Sequence, residues 1–292
     1  MKRRLIASVL AASLAATLAG CAAPADPATD GELRVVTSTD VYGDLASTIA
    51  GPEAIVTSII DDPSADPHGF EANPRVQLEL ARADLVIANG GGYDDFVDEM
   101  LAASGNTTAV VIHAVDVTRI DASANEHVWY DYTSMQDLVH EIAVALDGIS
   151  SDVGRTARAA DLSAGIGDLL TRLDGIGLDH VGAGVIVTEP VPLYLVQNAA
   201  LTNLTPDAFT EAIEEDTDVP PALLQEVLNL IPEASVVIVN DQTGGPQTDA
   251  VIDIAGDSGV PWFGVSETLP EGETYLSWQT GILDLLDGAL NR

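Results

Sequence analysis

The chain has 292 residues, 47% of them hydrophobic, with 46 acidic against 11 basic residues and a formal net charge of −35. The hydrophobic share is ample for a core and excludes a disordered acidic tail, while the charge argues against nucleic acid and against a basic membrane-surface patch. A single cysteine excludes an internal disulfide.

The first residues read as an export signal. Met1, Lys2, Arg3 and Arg4 form a short basic start, an apolar run follows from Leu5 to Leu18, and Leu18-Ala19-Gly20-Cys21 ends it. The run is too short for a permanent membrane helix. Small residues at Ala19 and Gly20 give a peptidase access to the bond before Cys21, and a lone thiol there suits alkylation by a diacylglyceryl group. Residues 1–20 are therefore expected to be a lipoprotein signal peptide and 21–32 a lipid-anchored tether, rich in Ala, Pro and Asp. Several acyl chains on Cys21 would hold the protein stably on the outer face of a bacterial cell membrane, where one chain binds only marginally.

Strands and helices then alternate. Glu32–Ser38 and Ala54–Ile60 are strand-like, with a helix over Val41–Ile49 between them. Asn73 reads as the cap of a helix beginning at Pro74. Ala83–Ala88 is an apolar strand ended by Asn89-Gly90-Gly91-Gly92. A helix over Asp94–Ala102, a strand over Thr108–Ile112 and a half-buried helix over Ser134–Leu146 follow. Residues 151–178 read as one long connecting helix. Beyond it the alternation restarts: strand Ala183–Thr188, helices Leu193–Ala200 and Pro221–Leu230, and strand Ser235–Val239. Helix Asp249–Asp257, strand Trp262–Val265 and helix Thr274–Leu290 complete the chain. Continuous apolar strands separated by helices imply parallel sheets covered on both faces. The expected fold is α/β, with a lobe over 33–150 and a second over 179–292, joined by the long helix.

Ligands in open α/β sheets sit beyond the carboxyl ends of the strands, so the polar residues there carry the functional reading. His68 and His127 lie on loops of the first half. In the second half Glu189 follows the strand ending at Thr188, and Glu267 follows Trp262–Ser266. Two imidazoles and two carboxylates make a mixed nitrogen and oxygen set. It suits Mn(II), Zn(II) or Fe(II), is too hard for Cu(I), and is too nitrogenous for Ca(II) or Mg(II). His113, His140 and His180 read as ordinary surface histidines.

Asp66-Pro67-His68 with Phe70, Glu71 and Pro74 resembles the DPH-x-[YF]-E-x-x-P signature of cluster A-I solute-binding proteins of zinc and manganese ABC importers. Asn125-Glu126-His127-Val128-Trp129-Tyr130-Asp131 is similar to that family's N-P-H-x-W-x-D segment, with Glu126 where Pro is usual. Asn89-Gly90-Gly91-Gly92 with Phe96 resembles its loop after the third strand. The resemblance runs from about residue 33 to the C-terminus and implies His68, His127, Glu189 and Glu267 as ligands of one captured ion. Glu189 stands where manganese-type members hold glutamate and zinc-type members usually histidine. Glu267 stands where aspartate is usual, which leaves Asp241 as a competing fourth carboxylate. The resemblance further implies a monomer that docks, when loaded, on a membrane permease driven by a cytoplasmic ATPase, with limited rocking of the lobes about the stiff connector.

Zinc and manganese both stay open. Two carboxylates and the lack of a His-rich loop favour manganese, whereas Zn(II) outranks Mn(II) in intrinsic affinity for nearly any such site. Four protein ligands would close the coordination shell, and a catalytic metal needs an open position, so no enzymatic activity is expected. The rival readings are a surface zinc metallohydrolase, whose H-E-x-x-H motif is absent, and an adhesin-like lipoprotein with an incidental metal site. A haem or corrinoid binder would need a broad aromatic cleft, and aromatics are only 4% of the chain.

Overall fold

A computed structural model describes residues 32–63, 67, 70, 73–118, 125–215 and 217–292. The expected signal peptide, Cys21, most of the tether, and His68 lie outside the described residues. The first half comprises β1 (Leu33–Thr39), α1 (Asp40–Ala50), β2 (Ala54–Ile60), α2 (Pro74–Leu80), β3 (Leu85–Ala88), α3 (Phe96–Ser104), β4 (Val110–His113), α4 (Ala114–Val117) and α5 (Tyr132–Ile149). The long helix α6 (Arg155–Asp179) leads to β5 (Gly184–Val187), α7 (Leu193–Asn198), β6 (Thr202–Asn203), α8 (Asp207–Glu214) and α9 (Pro221–Leu230). Then come β7 (Val236–Asn240), α10 (Pro246–Ser258), β8 (Trp262–Val265) and α11 (Tyr275–Leu290).

The strands form two four-stranded sheets, ordered β2-β1-β3-β4 and β6-β5-β7-β8, and every neighbouring pair is parallel. The expected α/β class with two mostly parallel sheets is therefore found. Strands such as LVIA of β3 and VVIVN of β7 are buried along their whole length, which is why they read as apolar runs and not as alternating ones. Both sheets share one strand order, so each changes direction at the same place, between β1 and β3 and between β5 and β7.

Local chemistry sets the element ends. Asn73 caps α2 by accepting the Arg75 amide (3.0 Å), with Pro74 as the first helical residue. Asp94 was expected inside a helix. Its carboxylate instead accepts the amides of Asn89 and Gly90, at 2.6 and 2.8 Å, so α3 begins at Phe96. That bond ties down a turn in which Gly90, Gly91 and Gly92 all have positive φ, a conformation glycine adopts without steric cost. The connecting helix starts at Arg155 rather than at 151. Asp152 takes the Gly154 amide (2.8 Å) and forms an ion pair with Arg158, and Val153 is left fully exposed.

One apolar core runs through both halves. It includes Tyr42, Leu45 and Ile49 of α1, Leu138 and Ile142 of α5, Val185 and Val187 of β5, Ile238 of β7, and Leu283 and Leu286 of α11. Helix α6 supplies Leu162, Ile166, Leu169, Leu173 and Ile176 to it. That spacing of three and four residues places one apolar stripe against both halves, and each such side chain contributes about 1.5–3 kcal/mol on full burial. Polar ties cross the same seam. The Tyr275 hydroxyl donates to Trp129 O (2.7 Å), Tyr130 to Ser266 O (2.9 Å), Tyr132 to Gln279 Oε1 (3.0 Å), and the Leu269 amide to Asp40 (3.0 Å). Among the described residues no helix is long and apolar enough to cross a membrane.

Candidate metal site

His127 lies on the loop before α5, and each neighbour in its segment has a structural task. The His127 amide donates to Asn125 Oδ1 (3.0 Å) and its ring Nδ1 lies 2.7 Å from the same oxygen. Asn125 Nδ2 donates to Pro190 O (3.0 Å), which fixes Oδ1 as the acceptor and puts the imidazole hydrogen on Nδ1. Nε2 therefore carries the lone pair of the neutral ring, the arrangement a metal-ligating histidine needs. Trp129 is fully buried with its ring edge-on to the imidazole at 5.1 Å. Asp131 caps α5 by accepting the Ser134 amide (3.2 Å) and also accepts from Asn198 Nδ2 (2.9 Å) across the seam. Asn89, at the end of β3, donates to Glu126 O (3.1 Å) and holds the loop to the strand end.

Glu189 and Glu267 approach from the second half. Glu189 follows β5 at the point where that sheet changes direction, the expected place for a ligand. Glu267 follows β8, and its Oε2 lies 3.6 Å from His127 Nε2. Both glutamates are almost wholly buried. One side chain ties them together: Asn240 Nδ2, at the end of β7, donates to Glu189 Oε2 (2.7 Å) and to Glu267 Oε1 (2.9 Å). The Thr243 hydroxyl donates to the other oxygen of Glu189. Tyr93 lies against Glu267 and is pushed well above the ordinary phenol range, by burial first and then by that carboxylate.

Asp241, the competing carboxylate, faces elsewhere. Successive residues of a strand point to opposite faces, so with Asn240 turned into the cluster Asp241 turns away. Its carboxyl lies directly over Gly264, beside a surface groove that also includes Trp278. Glu267 and not Asp241 is the carboxylate beside His127. His113 pairs with Asp98 (3.1 Å) at the surface, and His140 is exposed on α5.

The sequence reading missed two residues here. Asn240 is one. The other is Glu214, the last residue of α8, whose Oε1 lies 3.3 Å from His127 Nε2. An asparagine closing a strand reads as a turn residue, and α8 is too short and polar to stand out. Only Phe209, Ala212 and Ile213 mark its apolar face.

The electrostatics follow from burial. Desolvation is the largest influence on Glu189 and raises its pKa to about 7, against hydrogen bonds from Thr243 and Asn240 and with help from the charges of Glu214 and Glu267. On His127 burial pulls the pKa down. The hydrogen bond to Glu267 and the charges of Glu214, Glu267 and Glu126 outweigh it and leave the pKa raised. The raised pKa values of Glu189 and His127 mean that a cation entering the cluster would displace protons from them. Among the described residues no three His, Cys, Asp or Glu side chains already stand at metal-holding separation. The donors are close neighbours held by amide and hydroxyl groups, and His68 is outside the described set.

Two parallel α/β halves, with a histidine from one and carboxylates from the other at their strand ends, define a two-sheet α/β protein with a buried cluster of metal-ligating residue types. The family model described as zinc-uptake complex component A, periplasmic, matches residues 35–289, and the chain belongs to that family. The resemblance carried by the two histidine segments is borne out. The chain is 29% identical over 135 residues to the manganese-binding lipoprotein MntA of Halalkalibacterium halodurans, 44% of each chain. It is 26% identical over 122 residues to the iron-binding protein YfeA of Yersinia pestis, 39% of each. These matches span less than half the length of the curated relatives. Among solved structures, that of the SBP FpvC from Pseudomonas aeruginosa in complex with Mn2+ superposes with a TM-score of 0.74. It is 20% identical, with 89% of this chain and 98% of that one covered. The crystal structure of ZnuA gives 0.71 at 18% identity, covering 89% and 98%.

Proposed function

We propose that this chain is an extracytoplasmic solute-binding lipoprotein that captures one divalent transition-metal ion, Zn or Mn, and hands it to the permease of an ABC importer. The observation that carries this reading is that buried His127 of the first half lies beside buried Glu267 of the second, which Asn240 ties to Glu189. His68 is assigned as the fourth ligand. Two carboxylates balance a divalent cation while the imidazoles stay neutral, and the ion bridges the lobes, taken as 33–150 and 179–292 with 151–178 between them. The relatives named for binding manganese and iron support a metal cargo, and a relative named as a metal ABC transporter substrate-binding lipoprotein, FimA of Streptococcus parasanguinis, supports the delivery role. A closed set of protein ligands leaves no position for a reacting water, so the chain acts as a carrier and not as an enzyme.

Isothermal titration of the exported chain with MnCl2 and ZnCl2 tests this. Wild type binds one equivalent tightly, and His68→Ala or His127→Ala abolishes tight binding with the fold intact. Near-normal affinity in either variant contradicts the site. For the anchor, residues 1–20 act as the signal and Cys21 carries lipid, so Cys21→Ser releases the protein to the soluble fraction or blocks processing. A free thiol on mature Cys21 by mass spectrometry contradicts it. The acylated protein is a monomer on the outer face of the cell membrane.

A further inference from the structure

The site holds one carboxylate more than the proposed ligand set uses. Glu214 is only 11% exposed, and its Oε1 lies 3.3 Å from His127 Nε2, slightly nearer than Glu267 at 3.6 Å. Its charge is felt by both His127 and Glu189. Two donors on one ion at about 2.0–2.2 Å lie roughly 3.0–3.5 Å apart along the edge of a tetrahedron or octahedron. The separation of Glu214 from His127 is such an edge.

Helix stability does not account for Glu214. It closes α8, and a carboxylate at a helix C-terminus faces the negative end of the helix dipole. Its place is nevertheless well determined. Phe209 anchors α8 in the core of the second sheet with no exposure, and Thr217 closes the helix by donating its amide to Ala212 O (2.9 Å). The next residue, Glu215, is exposed.

We propose that Glu214 is a fifth donor to the captured ion and the residue that tips the site toward a hard, five- or six-coordinate cation of the Mn(II) kind and away from Zn(II). This rests on the metal-capture reading of the same site. Zinc is satisfied by four donors in a tetrahedron, which His68, His127, Glu189 and Glu267 supply without help. Manganese favours oxygen donors and a larger coordination number, so it gains from a third carboxylate what zinc does not need. Glu214 comes from α8 rather than from a strand end, and its Oε1 approaches the same ring nitrogen of His127 as Glu267 does.

The test is competition titration of the exported chain with MnCl2 and ZnCl2 in wild type, Glu214→Gln, Glu214→Asp, Glu215→Gln and His127→Ala, each checked for an unchanged melting curve without metal. Glu214→Gln is expected to weaken Mn(II) about tenfold or more and leave Zn(II) within about threefold, since only the larger shell loses a donor it uses. Glu214→Asp keeps the charge but shortens the arm, and is expected to lose Mn(II) affinity likewise. Glu215→Gln changes neither metal. X-ray absorption of the Mn(II) form shows one fewer oxygen neighbour in Glu214→Gln. Unchanged affinities for both metals, or equal losses for both, overturn the inference. If that occurs while His127→Ala still loses both metals, the capture reading stands and only Glu214 is misassigned. If His127→Ala binds like wild type, both readings fall.

Discussion

Asn240 is the residue on which the carboxylate pair depends. Its single amide group donates to both Glu189 and Glu267, so it sets their spacing and offsets their repulsion. Groups that orient metal ligands in this way typically affect affinity by 10–100-fold. Asn240→Ala is accordingly expected to weaken metal binding by about that factor, read by titration calorimetry, with His127 untouched. An affinity within about twofold of wild type would show the pair to be held by other groups. Glu189 makes a second prediction. Its folded pKa of about 7 lies above the ordinary glutamate value of 4.5, so the folded empty protein holds this proton more tightly than the unfolded chain. The stability it lends is complete below about 4.5 and is lost as pH rises through 7, a cost of up to about 3 kcal/mol in the empty protein at pH 8. Glu189→Gln is expected to raise the melting temperature of the metal-free protein by several degrees at pH 8 and not at pH 4, while weakening metal binding at both. Metal affinity of the wild type should climb with pH up to about 7 and then level off, as the protons on Glu189 and His127 are displaced. A flat profile from pH 5 to 8 would contradict the proton inventory.

At the scale of elements, α6 and α8 show what a sequence does and does not display. Helix α6 was legible because its apolar residues recur over seven turns, and its start was misread by a few residues because side-chain bonds of Asp152 and Arg158 settle it. Helix α8 went unread at two turns, and with it Glu214. Strand β6, two residues long at a sheet edge, carries too little pattern to be found. Of the site, His127, Glu189 and Glu267 were legible from loops and strand ends. The choice of Glu267 over Asp241 was not, because it turns on which way the last residues of β7 face. Helix α6 also yields a test of packing. A Cβ at Gly177 would lie 2.7 Å from Ala199 O, a backbone atom beyond α7 that has no rotamer to move. Gly177→Ala is expected to lower stability by about 1–3 kcal/mol despite alanine's better helix propensity, seen as a lower melting temperature with metal stoichiometry unchanged. A melting temperature at or above wild type would mean the two helices part without cost.

The whole molecule is a pair of like-ordered parallel sheets held by one continuous core. Tyr130, Tyr132 and Tyr275 extend hydroxyls across the seam, and α6 and α11 pack along it. Wide hinge opening would break these bonds and expose that core, so loading and release of an ion are expected to move the α8 region more than the sheets. The central claim, that histidines of the first half and glutamates of the second hold a single ion, is tested most directly by anomalous diffraction from crystals of the Mn(II)-loaded chain. The expected result is one anomalous peak within about 2.0–2.6 Å of His127 Nε2, His68, Glu189 and Glu267. A peak bound by Asp241 in place of Glu267, or one touching neither glutamate, would contradict it.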